Sequence, residues 1–160
     1  MARTLDLPTL PVVGPDAMHE LGAALAAQLG PGDLVCLRGD LGAGKTTLVQ
    51  GLALGLGLDP ACVASPTFAL VHTYQGGDVT LVHLDLYRLD SAAEAEAAGL
   101  TESLYDAEAL VVVEWPDIVA PLLPPHAIWL ELLADGSAMA SGRLVRQVAA
   151  PRRLPTDPLP

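Results

Sequence analysis

The chain has 160 residues, 51% of them hydrophobic and 17% charged, so length and composition predict one folded domain and argue against a disordered protein. Eight Lys and Arg stand against 19 Asp and Glu, which gives a formal net charge of −11. That balance argues against a protein whose whole surface binds nucleic acid or an anionic membrane, because both need clustered cations. Ten acidic residues and no Lys or Arg lie between Leu89 and Gly142, a pattern typical of a solvated acidic surface or of a face for a basic partner.

Hydrophobic periodicity and turn signals predict alternating helices and strands. Their order is a helix at 15–29, a strand at 33–38, a glycine-rich loop at 39–44, a helix at 45–56, strands at 68–74 and 79–84, a helix at 92–98, an apolar run at 110–113, and strands at 126–133 and 143–149. Gln75–Asp78 and Asp135-Gly136 predict two hairpin turns, and Ser91 with Glu94 predicts a capping box. Residues 1–150 are expected to form the single domain, and the Pro-rich tail at 151–160 is expected to be disordered.

Cysteine usage and hydropathy bear on the compartment. Cys36 and Cys62 are too few for a disulfide framework and fit no zinc spacing, and Cys36 lies in an apolar run where a buried side chain is expected. The segment from Met1 to Leu10 shows no signal-peptide pattern, and no stretch of about 18 apolar residues occurs. The sequence therefore predicts a cytoplasmic location without membrane contact.

The glycine-rich segment from Gly39 to Thr46, GDLGAGKT, matches the phosphate-loop pattern G-x-x-x-x-G-K-[ST]. Glycines let successive backbone N–H groups point at phosphate oxygens, and the following helix adds its positive end. Lys45, the only lysine of the chain, is expected to reach the β- and γ-phosphates, and the Thr46 hydroxyl to bind Mg²⁺. The predicted nucleotide-binding residues are Asp40, Leu41, Gly42, Ala43, Gly44, Lys45, Thr46 and Thr47.

The rest of the sequence limits which nucleotide the loop binds and which class of reaction the protein catalyses. A guanine-specific NKxD motif needs a second lysine, which the chain lacks, so ATP is favoured. The LSGGQ motif of transporter ATPases is absent. Only Arg88 lies between Arg38 and Arg143, too few arginines for the lid of a typical small-molecule kinase.

Two acidic residues follow apolar runs and are candidates for the carboxylates that a magnesium-dependent phosphoryl-transfer site needs. Glu114 follows the run 110–113, and Asp85 follows the strand 79–84. Either carboxylate could hold the metal while the other orients the attacking water. The Ser65-Pro66-Thr67 segment fits a γ-phosphate-sensing loop, but the residues alone favour an ordinary turn.

The roles of two residues with aromatic rings near these acids are left open by the sequence. His83 could face the site, but a packing role is favoured for a single histidine on a strand. Trp115 fits either the core or a contact with a partner.

Four segments in this order, GDLGAGKTTL at 39–48, SPTF at 65–68, HLDLYRL at 83–89 and VEW at 113–115, resemble the bacterial TsaE family. The resemblance extends over about residues 10–150. It implies a P-loop NTPase-like, three-layer α/β fold around a mixed, mainly parallel central sheet. It also implies ATP or ADP binding with Mg²⁺, weak ATP hydrolysis by the protein alone, and assembly with TsaB-like and TsaD-like proteins that modify tRNA with threonylcarbamoyladenosine.

The same resemblance implies roles for single residues. Lys45 and Thr46 would be the phosphate and magnesium residues, Glu114 the second magnesium residue and Asp85 a catalytic carboxylate, which makes Lys45, Asp85 and Glu114 the catalytic set. Ser65 and Thr67 would form a switch-like segment. The family usually has a hydroxyl residue before the first helix, but the segment from Val13 to Ala17 has none, so a nucleotide contact there must use backbone or apolar groups.

The sequence thus predicts a magnesium-dependent ATPase that supports tRNA modification and meets tRNA only through its complex. Two alternatives remain open. One is a small-molecule kinase, and the other is a nucleotide-gated binding module that does not hydrolyse ATP.

Overall fold

The computed structural model of the protein describes residues 3–135 and 142–151. The strands are β1 (Val12–Val13), β2 (Leu34–Arg38), β3 (Val71–Gly76), β4 (Val79–Asp85), β5 (Leu110–Glu114), β6 (Ile128–Ala134) and β7 (Gly142–Val148). The α-helices are α1 (Gly14–Ala26), α2 (Lys45–Gly55), α3 (Ala92–Ala97) and α4 (Leu100–Leu104), and 3₁₀ helices lie at Pro60–Cys62 and Pro116–Leu122.

The strands form one sheet in the order β1-β7-β6-β2-β5-β4-β3. The four central strands, β6, β2, β5 and β4, are parallel to one another, and antiparallel pairs close both edges of the sheet. Parallel strands covered on both faces read as continuous apolar runs, as β2 and β5 do. The predicted mixed α/β sheet is therefore confirmed, with its parallel pairing confined to the centre.

Helices cover both faces of the sheet, which gives the predicted three layers. One core lies between the sheet and α1 with α2, and the other lies between the sheet and α3, α4 and the 3₁₀ helix at 116–122. Strand β2 alternates between them: Val35 belongs to the first core and Cys36 to the second. Cys36 is fully buried, as predicted, and this burial raises the pKa of its thiol.

Helices α1 and α2 cross with their backbones in direct approach. A Cβ atom added at Gly51 would lie 2.5 Å from the carbonyl oxygen of His19, and one added at Gly22 would lie 2.5 Å from that of Leu48. Only glycine permits this spacing. The contact therefore fixes the position of α2 relative to α1.

Several boundaries differ from the sequence prediction. Phe68 lies in a turn and is 85% exposed, and β3 begins only at Val71, so the predicted strand at 68–74 was wrong over its first three residues. The cause is a tight turn in which the Leu70 N–H donates to the Pro66 carbonyl at 2.6 Å and Leu70 adopts a φ of 65°. The short elements β1 and α4 were not predicted.

The helix capped by Ser91 is confirmed with a small change. The Ser91 Oγ accepts the Glu94 N–H at 3.2 Å, as a capping box requires, but the Glu94 carboxylate accepts the N–H of Asp90, one residue earlier. Gly136 of the second predicted hairpin turn and residues 152–160 of the predicted tail lie outside the described residues.

Across residues 3–135 and 142–151, every helix is too short or too polar to cross a membrane.

Candidate functional site

The glycine-rich loop connects the carboxyl end of β2 to the amino end of α2. Gly44 caps α2 with a φ of 97°, and Gly42 has a φ of 78°, conformations that a residue with a side chain rarely adopts. Gly44 has no side chain that could cap α2, so no N-cap side chain occupies the N–H groups of the first turn of this helix. An anion binds naturally at such a helix end.

Lys45 is folded into this loop and is only 5% exposed. Its Nζ donates to the carbonyl oxygens of Gly39 at 2.6 Å and Asp40 at 2.9 Å, and it lies 4.3 Å from the centre of the Trp115 ring. Burial lowers the pKa of this ammonium, against the opposing effect of nearby carboxylates. The loop thus carries one desolvated positive charge at its centre.

Thr46 and Glu114 form the next pair. The Thr46 Oγ1 donates to the Glu114 Oε1 at 2.8 Å, and Glu114 ends β5 with only 3% exposure. The parallel register places Glu114 beside Leu37 of β2 on one side and Asp85 of β4 on the other. The carboxyl ends of three adjacent strands therefore deliver both predicted carboxylates to the loop.

Asp85 binds the predicted switch-like segment. Its Oδ2 accepts hydrogen bonds from the Ser65 Oγ and, at 3.2 Å, from the Thr67 Oγ1, while its Oδ1 accepts the Tyr87 N–H at 3.0 Å. The Ser65-Pro66-Thr67 segment is therefore held at the site by Asp85. Its two hydroxyl-bearing residues line the same cleft as the glycine-rich loop.

A cleft of about 420 Å³ brings most of the predicted residues together. Its lining is Leu41, Gly42, Gly44, Lys45, Thr46, Thr47, Ser65, Thr67, Asp85, Tyr87, Glu114 and Trp115. Asp40 and Ala43 instead line a second cleft, of about 430 Å³, on the other side of the loop towards β6.

A smaller cleft of about 270 Å³ lies where α1 begins. Gly14, Pro15 and Met18 line it together with the loop and Arg143, so this side offers backbone and apolar groups, as the sequence analysis expected for a segment without hydroxyls. Arg143 also donates from Nη2 to the Gly42 carbonyl at 3.4 Å. Sequence reasoning missed Arg143, because only the pairing of β6 with β7 brings it to the loop.

His83 contacts the site, although sequence reasoning favoured a packing role. It is fully buried, as packing requires, but its Nε2 lies 2.8 Å from the Glu114 Oε1. The available signal was its position two residues before Asp85 on one strand, which places both side chains on the same face.

Trp115 covers the loop from the end of β5. Its φ of 58° is rare outside glycine, and its ring lies 5.0 Å from the ring of Tyr87 and against the Lys45 ammonium. Such backbone strain, of about 1–3 kcal/mol, is typical of positions that place a side chain at a functional site. Trp115 thus lies half-buried in the wall of the cleft, and not in the fully buried core that was one of the two roles left open by the sequence.

The donor set fits a magnesium ion held together with a phosphate. Thr46, Glu114 and Asp85 offer hydroxyl and carboxylate oxygens, the ligands that hard cations prefer. Within the described part of the chain, no three His, Cys, Asp or Glu side chains form a complete metal cage. Mg²⁺ is usually bound by one or two carboxylates and by substrate phosphates, so this partial set is the expected one.

A central parallel strand that leads through a glycine loop into an uncapped helix defines a P-loop-like α/β protein. The family described as "Threonylcarbamoyl adenosine biosynthesis protein TsaE" matches residues 13–143. The chain belongs to the TsaE family.

Individual relatives agree with the family match. The TsaE protein of Bacillus subtilis is 36% identical to this chain, and the match covers 78% of this chain and 76% of that protein. The TsaE protein of Treponema pallidum is 42% identical, and the match covers 72% of this chain and 85% of that protein. Both are described as tRNA threonylcarbamoyladenosine biosynthesis proteins. A crystal structure of Bacillus subtilis YdiB superposes with a TM-score of 0.69 and 27% identity, over 94% of this chain and 90% of that one.

Proposed function

We propose that this protein is a magnesium-dependent ATPase that acts as the accessory subunit of a complex with TsaB-like and TsaD-like proteins, supporting threonylcarbamoyladenosine modification of tRNA. The observation that carries the ATPase part is the convergence of Lys45, Thr46, Asp85 and Glu114 on one cleft at the uncapped end of α2. The family match supports the pathway.

The residues divide the chemistry among them. The loop N–H groups and the Lys45 ammonium would bind the phosphates. The Thr46 hydroxyl donates a hydrogen bond to Glu114 and keeps oxygen lone pairs for a cation, and Glu114 adds a carboxylate oxygen. Bound Mg²⁺ would supply charge neutralisation on the phosphate oxygens. Asp85, already fixed by three hydrogen bonds, is the carboxylate placed to orient the attacking water and accept its proton.

Charge and exposure support a protein partner over direct tRNA binding. The formal net charge of −11 disfavours an extended surface that binds the phosphate backbone of RNA. Phe68 is 85% exposed and Tyr87 is 51% exposed beside the cleft, and exposed aromatic side chains are typical of protein interfaces. We therefore place tRNA in contact with the partner proteins only.

The test uses the purified protein with the TsaB-like and TsaD-like proteins of the same source. Phosphate release from ATP should be slow for the protein alone and faster with the pair. It should be absent from both samples when EDTA replaces Mg²⁺. With tRNA and an activated threonylcarbamoyl donor added, modified nucleoside, measured by mass spectrometry, should form over repeated turnovers only when this protein is present. Intact ATP after long incubation with the pair would contradict the proposal, and so would transfer of the phosphoryl group to a small-molecule acceptor.

A further inference from the structure

His83 is a buried polar side chain with only half of its hydrogen bonding satisfied. It is 0% exposed, its Nε2 lies 2.8 Å from the Glu114 Oε1, and its Nδ1 has no hydrogen-bond partner among the described residues. An unpaired buried polar atom costs about 1–3 kcal/mol, and an apolar side chain of similar size would avoid that cost. Stability alone therefore does not account for a histidine at this position.

The chemistry of the contact fixes the direction of the hydrogen bond. An ionised carboxylate only accepts hydrogen bonds, so the Nε2–H of His83 is the donor and the Glu114 Oε1 is the acceptor. The Nδ1 atom takes no part in this contact.

The contact constrains Glu114. The Thr46 hydroxyl donates to the same Oε1, also at 2.8 Å, so in the described residues both hydrogen bonds to this carboxylate fall on one oxygen. Oε1 is thereby occupied from two directions, from α2 and from β4. The Oε2 atom remains as the oxygen with capacity for a cation in the cleft that Glu114 lines.

We propose that His83 is a positioning residue that, together with Thr46, clamps the Glu114 Oε1 and so presents Oε2 to the magnesium ion of the bound nucleotide. This inference rests on the proposed function. Hydrogen-bonded supporting residues of this kind typically contribute about 10- to 100-fold to metal affinity. The role differs from packing, because it depends on one N–H at one position.

The test compares His83→Gln with His83→Asn. A glutamine amide reaches about as far as Nε2 and can donate to Oε1, whereas the shorter asparagine amide cannot. His83→Leu, of similar size and without a donor, is a third variant, and His126→Gln at an exposed position is the control. ATP affinity is measured by calorimetry with Mg²⁺ and with EDTA, and the ratio of the two is the readout.

We expect His83→Asn and His83→Leu to reduce the Mg²⁺-dependent gain in ATP affinity by about 10- to 100-fold. Affinity in EDTA should stay within about twofold, and the melting temperature of the leucine variant should not fall. His83→Gln should keep the gain within about threefold. The inference would be overturned if the glutamine and asparagine variants showed the same Mg²⁺-dependent gain in ATP affinity. It would also be overturned if the asparagine variant lost the same ATP affinity with and without Mg²⁺. A parent protein without any Mg²⁺-dependent gain would overturn the proposed function as well, which separates the two failures.

Discussion

At the scale of single residues, Lys45 lies at the centre of the glycine-rich loop, and its buried ammonium carries a desolvation cost. Two loop carbonyls and the Trp115 ring hold its ammonium in a place with little water, and burial lowers its pKa below the ordinary value of 10.5. Because it is the only lysine of the chain, its titration can be isolated by one substitution.

Lys45→Met should remove a pH dependence of stability at alkaline pH. As pH rises through the lowered pKa, native Lys45 loses its proton before the unfolded lysine does, so the unfolded state binds more protons. Stability of the parent relative to the variant must therefore rise with pH up to about 10.5, where the unfolded lysine also titrates. Urea unfolding of both proteins at about pH 7.5 and about pH 10 measures the difference. A difference that stays flat or falls would contradict the burial of the charge.

Glu114→Gln should separate metal support from nucleotide binding. The amide keeps the shape of the side chain but removes its charge, so Mg²⁺-dependent ATPase activity with the partner pair should fall by at least about tenfold. ATP affinity in EDTA should change by less than about twofold, since the loop and Lys45 are intact. Glu102→Gln makes the same chemical change at an exposed position of α4 and should change neither quantity. Full activity of the Glu114 variant would show that Glu114 does not bind the metal, and Asp85 would then be the carboxylate assigned to it.

At the scale of elements, the sequence predicted what short-range patterns encode. Residues 34–37 and 110–114 are buried and form mainly apolar runs, and the residues of the glycine-rich loop are consecutive in the sequence. The β-like run at 68–74 predicts a strand from Phe68 onward, but the left-handed backbone at Leu70 turns the chain there. The Arg143–Gly42 contact joins residues far apart in the chain and depends on strand pairing, which no local pattern shows.

The glycine contact between α1 and α2 makes a prediction at this scale. Gly51→Ala places a methyl group against the His19 backbone, so the helices must separate and stability should fall by about 1–3 kcal/mol or more. Gly30→Ala is the matched control, because nothing lies within 4 Å of its added Cβ. Chemical denaturation of both variants measures the difference. Equal stabilities would show that the helices tolerate the wider spacing.

At the scale of the whole molecule, the 65–67 segment links the cleft to the exposed surface around Phe68. Asp85 holds this segment through Ser65 and Thr67. A nucleotide that competes for these hydroxyls would change how the segment is held, and a partner that touches it would then bind the two nucleotide states with different affinity.

We expect the protein to assemble with the TsaB-like and TsaD-like pair about 5- to 150-fold more tightly with a non-hydrolysable ATP analogue than with ADP. Thr67→Ala should shrink that ratio and leave ADP binding nearly intact, whereas Thr101→Ala, exposed on α4, should leave the ratio unchanged. Analytical ultracentrifugation with the purified pair measures assembly in each state. Equal assembly with both nucleotides would show that nucleotide and partner binding are not coupled.

The strand order also governs how the chain folds while it is being made. Strand β2 pairs with β5 at Leu34–Val111 and with β6 at Val35–Ile128, so both of its neighbours are synthesised long after it. At about 5–20 residues per second, the roughly 90 residues between β2 and β6 take about 5–20 s to leave the ribosome. Both edges of β2 are unpaired until β5 has been made, and the edge that pairs with β6 stays unpaired for the whole interval, when it is open to pairing with other nascent chains. The loop after β2 therefore reaches its final shape only when nearly all of the chain has been translated.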